Sequence, residues 1–377
     1  MINIKKFNFL GGRIIKTGIA VFLTALICQS IDWPYMLAVI TAIVTIEPTA
    51  ADSIKKAFIR FPSSAIGAAF AMLYTFLLGV TPLTYMLVAV STIISCSKLR
   101  LHAGTLVATL TGVAMLTIVH DHYFISFLIR LATTSIGLLT SSLVNIIVLP
   151  PNYTPIITRK IQNLSKQMSS VLQQRGSELS QVHACHKQTK LQFQQISAEI
   201  EKIETLCEYQ RKEWKFHHFT RPAMRKFHYE YKKLSLMRQL VYHIGSLIYL
   251  PAHQLQSARH QVIWDTFTSF HNVLQNEQYK SSLQHQTLVL TLKQRFWAHK
   301  QEENRGDQPF STETTMLYEL LAIHHLLEEL HRIHCLKDRY NLNNSSVSLS
   351  SKKNPHICED FLVYETCDSS FLYSFSQ

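Results

Sequence analysis

Arg130 lies well inside an apolar run from Phe124 to Leu149 that otherwise reads as lipid-embedded. A charge at the centre of such a helix costs about 2.5–3.5 kcal/mol on insertion scales, and it usually faces a bundle interior or a water-filled path. At helical spacing Arg130, Thr134, Gly137, Ser141 and Asn145 share one face, with Thr133 and Val144 flanking it. The chemistry open to that face is anion binding, because a guanidinium fork donates two parallel hydrogen bonds to a carboxylate. The competing use of Arg130 is an ion pair with Asp32 or Asp121, the nearest acids toward the outer side.

The stretch has an echo seventy residues earlier, where Ile59-Arg-Phe-Pro-Ser-Ser-Ala-Ile-Gly67 parallels Ile129-Arg-Leu-Ala-Thr-Thr-Ser-Ile-Gly137. Arg60, Ser64, Gly67, Ala71 and Thr75 form the corresponding stripe. Small residues on both stripes equally suit a close-packed helix seam. Arg60, at the cytoplasmic boundary, equally suits a snorkelling side chain.

These stripes need elements to carry them. Six apolar runs can be drawn, at about 12–31, 34–47, 61–79, 83–97, 103–120 and 124–149, with the second and fourth short for a span of roughly 20 residues. Pro34 and Pro82 are placed to open the second and fourth helices, and Pro48 to close the second. Lys5, Lys6, Arg13 and Lys16 precede the first run, Lys55, Lys56 and Arg60 follow the second, and Lys98 and Arg100 follow the fourth. Arg159, Lys160 and Lys166 follow the sixth, whereas the intervening junctions hold only Asp32, no charge, and His120-Asp-His122. This alternation places both termini in the cytoplasm, with the first run an uncleaved span and not a signal peptide. Three spans per copy is an odd number, so the two copies would cross the membrane in opposite directions, as inverted transporter repeats do.

The first 150 residues carry ten basic and four acidic side chains; the remaining 227 carry 27 and 21. The expected fold is therefore all-α: a six-span transmembrane bundle over 1–150, a cytosolic helical bundle over 151–341 and a flexible tail over 342–377. Within the polar half, helices are predicted at 155–180, 186–218, 222–250, 256–276, 281–301 and 311–340 from apolar spacing of three and four. The net charge of +12 is basic between apolar runs and mixed elsewhere, which fits an anionic lipid bilayer and excludes a nucleic-acid groove. Seven cysteines without a Cys-x-x-Cys pair point to a reduced compartment.

No enzyme constellation is visible. Glu328 and His331 make one Glu-x-x-His beside His324, His325 and His334, but a di-iron bundle needs two such pairs. His120-Asp-His122 has no third ligand nearby, and His243 is followed by no nucleotide-binding domain. Phosphate-loop, Gly-x-Ser-x-Gly and His-Glu-x-x-His motifs are missing, so no cofactor or metal is expected.

Thr45-Ile-Glu-Pro-Thr49 with Ser53-Ile-Lys-Lys56, Arg60 through Ala68, Lys98-Leu-Arg-Leu101, Arg130 to Gly137 and the closing Leu143 to Pro151 together resemble the aromatic acid exporter family, in its half-size bacterial branch. Pro62-Ser-Ser64 departs from the Gly-Thr-type step frequent in that family. The resemblance implies a cell-membrane efflux protein for small organic anions, working as a homodimer or higher assembly. Its candidate substrate-pathway residues are Arg130, Thr134, Asn145, Glu47 and Arg60. The competing class is a membrane-anchored helical scaffold or sensor.

Overall fold

The computed structural model describes residues 9–117, 123–180, 186–217, 219–250, 260–303 and 311–347. These form twelve α-helices and no strand. α1 (Phe9–Ser30), α2 (Met36–Thr45) and α3 (Ala50–Leu78) are followed by α4 (Pro82–Lys98), α5 (Thr105–Met115) and α6 (Tyr123–Ile147). The polar half gives α7 (Thr154–Ser180), α8 (His186–Glu213), α9 (Arg221–Tyr249), α10 (His260–Gln275), α11 (Leu283–Glu303) and α12 (Thr312–Val347). α12 runs past Tyr340 into the stretch expected to be tail.

Among the described residues three helices are long and apolar enough to cross a membrane: Gly11–Ser30, Ala50–Leu78 and Phe124–Ile147. The other three apolar runs form shorter helices. α2 and α5, at 10 and 11 residues, measure about 15–17 Å at 1.5 Å per residue, roughly half of a ~30 Å hydrocarbon core. The second and fourth runs are short as the sequence implies, α4 having 17 residues, and the fifth is short as well: a 3-10 turn at His102–Gly104 precedes α5, which stops at Met115. α3 begins eleven residues before its apolar run, because Thr49 caps it by accepting from Asp52 N–H at 3.1 Å. The helix continues through Pro62. Pro82 opens α4 as the sequence implies, whereas Pro34 stands two residues ahead of α2.

The two halves bury opposite kinds of residue. One large core of Leu, Ile, Met and Phe side chains, from Tyr153 to Leu330, holds α7 to α12 together. In α1 to α6 the interior is small and polar, with Thr24, Thr41, Ser64, Thr92, Thr111, Thr134 and Ser141 all buried, while Phe22, Phe58, Phe76 and Ile147 point outward at 65–78% exposure. Such an arrangement suits apolar surroundings, where small residues let helices approach and large ones face lipid.

α1–α3 and α4–α6 repeat one another position by position. The buried face of α2 (Leu37, Ala38, Thr41, Ala42, Thr45) matches that of α5 (Val107, Ala108, Thr111, Gly112, Met115) at an offset of seventy residues. On the same offset, Arg60, Ser63, Ser64, Gly67, Ala68, Ala71 and Thr75 match Arg130, Thr133, Thr134, Gly137, Leu138, Ser141 and Asn145, all buried. Lys16, Ala20, Thr24 and Cys28 match Thr84, Val88, Thr92 and Cys96 at an offset of sixty-eight. Even the helix ends agree. Asp32 and Arg100 are left-handed at φ 56° and 57°, and Trp33 N–H and Leu101 N–H bond back to Cys28 and Cys96 carbonyls at 3.0 and 2.8 Å. α3 and α6 cross antiparallel, since Ser64 meets Thr134 near the middle while Asn145 reaches Thr49 and Ser53. The units are therefore inverted.

Gly67 and Gly137 make the repeat close-packed. A Cβ at Gly67 would lie 2.2 Å from the Ala108 carbonyl oxygen, and one at Gly137 would lie 2.5 Å from that of Ala38, its repeat counterpart. Gly67→Val or Gly137→Val is expected to cost about 1–3 kcal/mol or more through overpacking, read as a lower melting temperature in detergent. Equal melting of both variants and the parent protein would refute this packing.

In the polar half, His285 is 1% exposed between Ser269 Oγ (2.9 Å from Nδ1) and His324 Nδ1 (3.1 Å from Nε2). Burial, helped by His324 and opposed by Glu328, pushes it down to about 4. The folded state keeps this ring neutral, whereas the unfolded chain protonates it near 6.5. The stability it contributes is therefore present above about pH 6.5 and is lost as pH falls toward about 4, at about 1.4 kcal/mol per pH unit. Melting of α7 to α12 should fall steeply across that window, and less steeply in His285→Gln.

Candidate functional site

Where α2 and α5 cross, they enclose a cavity of about 70 Å³, room for about two waters and less than an aromatic acid occupies. Leu37, Ile40, Thr41 and Val44 line it from α2, and their counterparts Val107, Leu110, Thr111 and Ala114 line it from α5. The cavity thus sits where the two repeats meet. The ninth lining residue is Arg130.

Arg130 is 5% exposed. Its Nη2 donates to Thr111 Oγ1 at 2.7 Å, while Nε and Nη1 have no partner among the described residues. Thr111 in turn accepts from Ser64 at 3.2 Å, and Ser64 contacts Thr134 at 3.4 Å. No carboxylate of the described residues pairs with Arg130. Asp32 is exposed at the end of α1, and Asp121 lies outside the described residues, as do His120 and His122.

Arg60 does not snorkel. It is 6% exposed, its Nη2 lies 2.8 Å from Glu47 Oε1, its Nε donates to the Ala103 carbonyl at 3.3 Å, and its Nη1 is unpartnered among the described residues. Lys56 takes the other Glu47 oxygen at 2.9 Å. Asn145 joins the chain ends nearby. Its Nδ2 reaches the Glu47 and Thr49 carbonyls at 3.2 Å and Ser53 Oγ at 2.7 Å, while its Oδ1 accepts from Lys16 Nζ at 2.9 Å. The candidate residues thus fall into two clusters: Arg130 at the cavity, with Thr134 linked to it through Ser64 and Thr111, and Arg60, Glu47 and Asn145 at the start of α3.

Lys16 and Thr111 are contributors that sequence reasoning missed. Lys16 counts in the sequence as a flanking charge, yet it is 5% exposed within α1. Its place on the α1 stripe with Ala20, Thr24 and Cys28 was the available signal. Thr111 is one of many threonines in apolar helices, and nothing local marks it.

The polar helices seat on the same end of the bundle. Glu213 of α8 is fully buried and accepts Ala50 N–H at 2.7 Å; Tyr153 Oη donates to the Pro48 carbonyl at 2.7 Å, and Lys212 lies 3.1 Å from Asp52. Burial lifts the Glu213 carboxyl above the usual range, against Ala50 N–H, His217 and Lys16. A larger cleft of about 680 Å³ between α8 and α9 is lined by Arg211, Trp214 and Tyr231. Its Arg238 and Lys212 are already paired, with Glu204 and Glu208. Among the described residues no three His, Cys, Asp or Glu side chains are placed to hold a metal. His331 bonds the Gln278 carbonyl, and Glu328 lies beside His324.

Inverted helical repeats that turn large apolar side chains outward and keep a guanidinium buried within are the build of an integral membrane protein. Residues 8–148 match the family described as Aromatic acid exporter family member 1, and the chain belongs to the aromatic acid exporter family. Along its length it is 42% identical over 354 residues to a UPF0421 protein of Bacillus cereus, covering 92% of this chain and all of the relative. It is 39% identical over 335 residues to a UPF0421 protein of Oceanobacillus iheyensis, covering 85% of this chain and 95% of that one. A UPF0421 protein of Staphylococcus haemolyticus is 36% identical over 327 residues, covering 85% and 96%.

Proposed function

We propose that the chain is a secondary exporter of small organic acids, aromatic acids among them, in the cell membrane. In this reading α1 to α6 pass the membrane six times, both termini are cytoplasmic, α7 to α12 form a cytosolic domain, and the protein works as a homo-oligomer. The observation that carries the reading is Arg130, a buried guanidinium with two nitrogens unpartnered among the described residues, at a cavity shared by the two repeats. A tether has no use for such a group, whose cost in lipid a carboxylate ligand would offset. α2 and α5 then act as half-length helices at the repeat interface, the place where transporters of this architecture bind substrate. The cavity is too small for substrate here, so the reading implies that it opens during the cycle.

Deleting the gene should sensitise cells to aromatic acids, and restoring it should return tolerance; equal tolerance in both strains would count against export. Single cysteines in an otherwise cysteine-free chain should be labelled from outside near positions 32, 82 and 121. Labelling near 55 from outside would overturn the six-pass arrangement.

A further inference from the structure

Arg60 and Arg130 hold the same place in the two repeats, yet their partners differ. Both are at least nine-tenths buried, and both carry a guanidinium N–H with no partner among the described residues. Arg130 bonds only a hydroxyl, whereas Arg60 is held by the Glu47 carboxylate. The residue seventy positions after Glu47 is Thr117, whose hydroxyl turns back to the Ala114 carbonyl at 2.9 Å. At that position the second repeat therefore has a hydroxyl where the first supplies a carboxylate.

We infer that Arg60 is a second carboxylate-binding position, the counterpart of Arg130, and that Glu47 occupies it as an internal stand-in for the carboxylate of a small organic acid. The contact at Arg60 already has the chemistry of the ligand: one carboxylate oxygen 2.8 Å from Nη2, with Nη1 left over for a second oxygen. Glu47 need not stay there, because Lys56 binds its other oxygen and would hold the side chain after displacement. An incoming carboxylate exchanges one charge-assisted pair for another, so no net charge is buried in the exchange. The cytoplasmic end of the bundle, closed by Glu47, Arg60, Lys56 and Asn145, would then open to the anion that competes for Arg60. This inference rests on the exporter reading for its direction of transport, but not for its binding chemistry.

Labelled benzoate, measured by equilibrium dialysis against the purified full chain in detergent, tests it. Wild type should show a tight class of site and a weak one, the weak one limited by competition with Glu47. Glu47→Thr, which installs the residue type of the second repeat, should tighten the weak class at least tenfold, and Glu47→Gln should do likewise. Arg60→Gln, which leaves Glu47 its Lys56 partner, should remove the weak class. Unchanged number and affinity of sites in a monodisperse Glu47→Thr or Glu47→Gln protein would overturn the inference. So would a weak class that survives Arg60→Gln, a result readable even if neither Glu47 variant folds. Failure of the Arg130 reading looks different: Arg130→Gln would leave the tight class intact.

Discussion

Arg130→Gln is expected to reach the membrane in normal amount and to lose nearly all efflux of aromatic acids. Gln is neutral and long enough to fill the space, so the α2–α5–α6 packing survives and the insertion cost of the charge disappears. Each charge-assisted hydrogen bond is worth about 1.5–3 kcal/mol. Losing the two that Nε and Nη1 can donate should reduce transport by about 100- to 10,000-fold. Arg130→Lys keeps the charge without the planar fork and should retain part of the activity. Intracellular accumulation of labelled benzoate at matched protein abundance checks both. If Arg130 instead serves an ion pair with Asp121, Arg130→Gln should lower abundance, and neutralising Asp121 as well should restore it.

Asn145→Leu should unfold or disperse the bundle. The Asn145 amide donates toward two carbonyls and Ser53 at the start of α3, and its oxygen accepts from Lys16, a buried ammonium 129 residues away in sequence. Leucine leaves that ammonium only the backbone carbonyl of position 145, at 3.2 Å. Stranding a buried charge costs about 3–5 kcal/mol, comparable to the whole stability of many domains. Asn145→Asp, which keeps an oxygen for Lys16 but loses the donors, should fall between. Size-exclusion profiles and melting in detergent separate the three proteins. A Leu variant as monodisperse and heat-stable as the parent would show that the amide is dispensable.

Local periodicity makes much of this fold legible. Apolar spacing places α7 at 155–180, and it runs Thr154–Ser180; it places α9 at 222–250, and that helix runs Arg221–Tyr249. The echo around Arg60 and Arg130 anticipates the inverted units, although only four of nine residues agree. What repeats is the size and burial of each position, and identity comparison is blind to that: Leu37 and Val107, or Thr75 and Asn145, are equivalent by where they pack. Lengths are less legible. Hydropathy runs across 103–120, whereas the helix stops at Met115, because apolar composition does not report where a helix breaks. The partners of the charged groups are least legible. Lys16 with Asn145, Glu47 with Arg60, and Glu213 with Ala50 are contacts between elements, and no local pattern encodes them.

The most direct measurement is counterflow in liposomes holding only the purified full chain. Vesicles preloaded with unlabelled benzoate should draw in labelled benzoate well above the rate of protein-free vesicles, and vesicles holding Arg130→Gln should match the protein-free rate. Wild-type vesicles no faster than empty ones, or Arg130→Gln vesicles as fast as wild type, would contradict an exporter that works through Arg130.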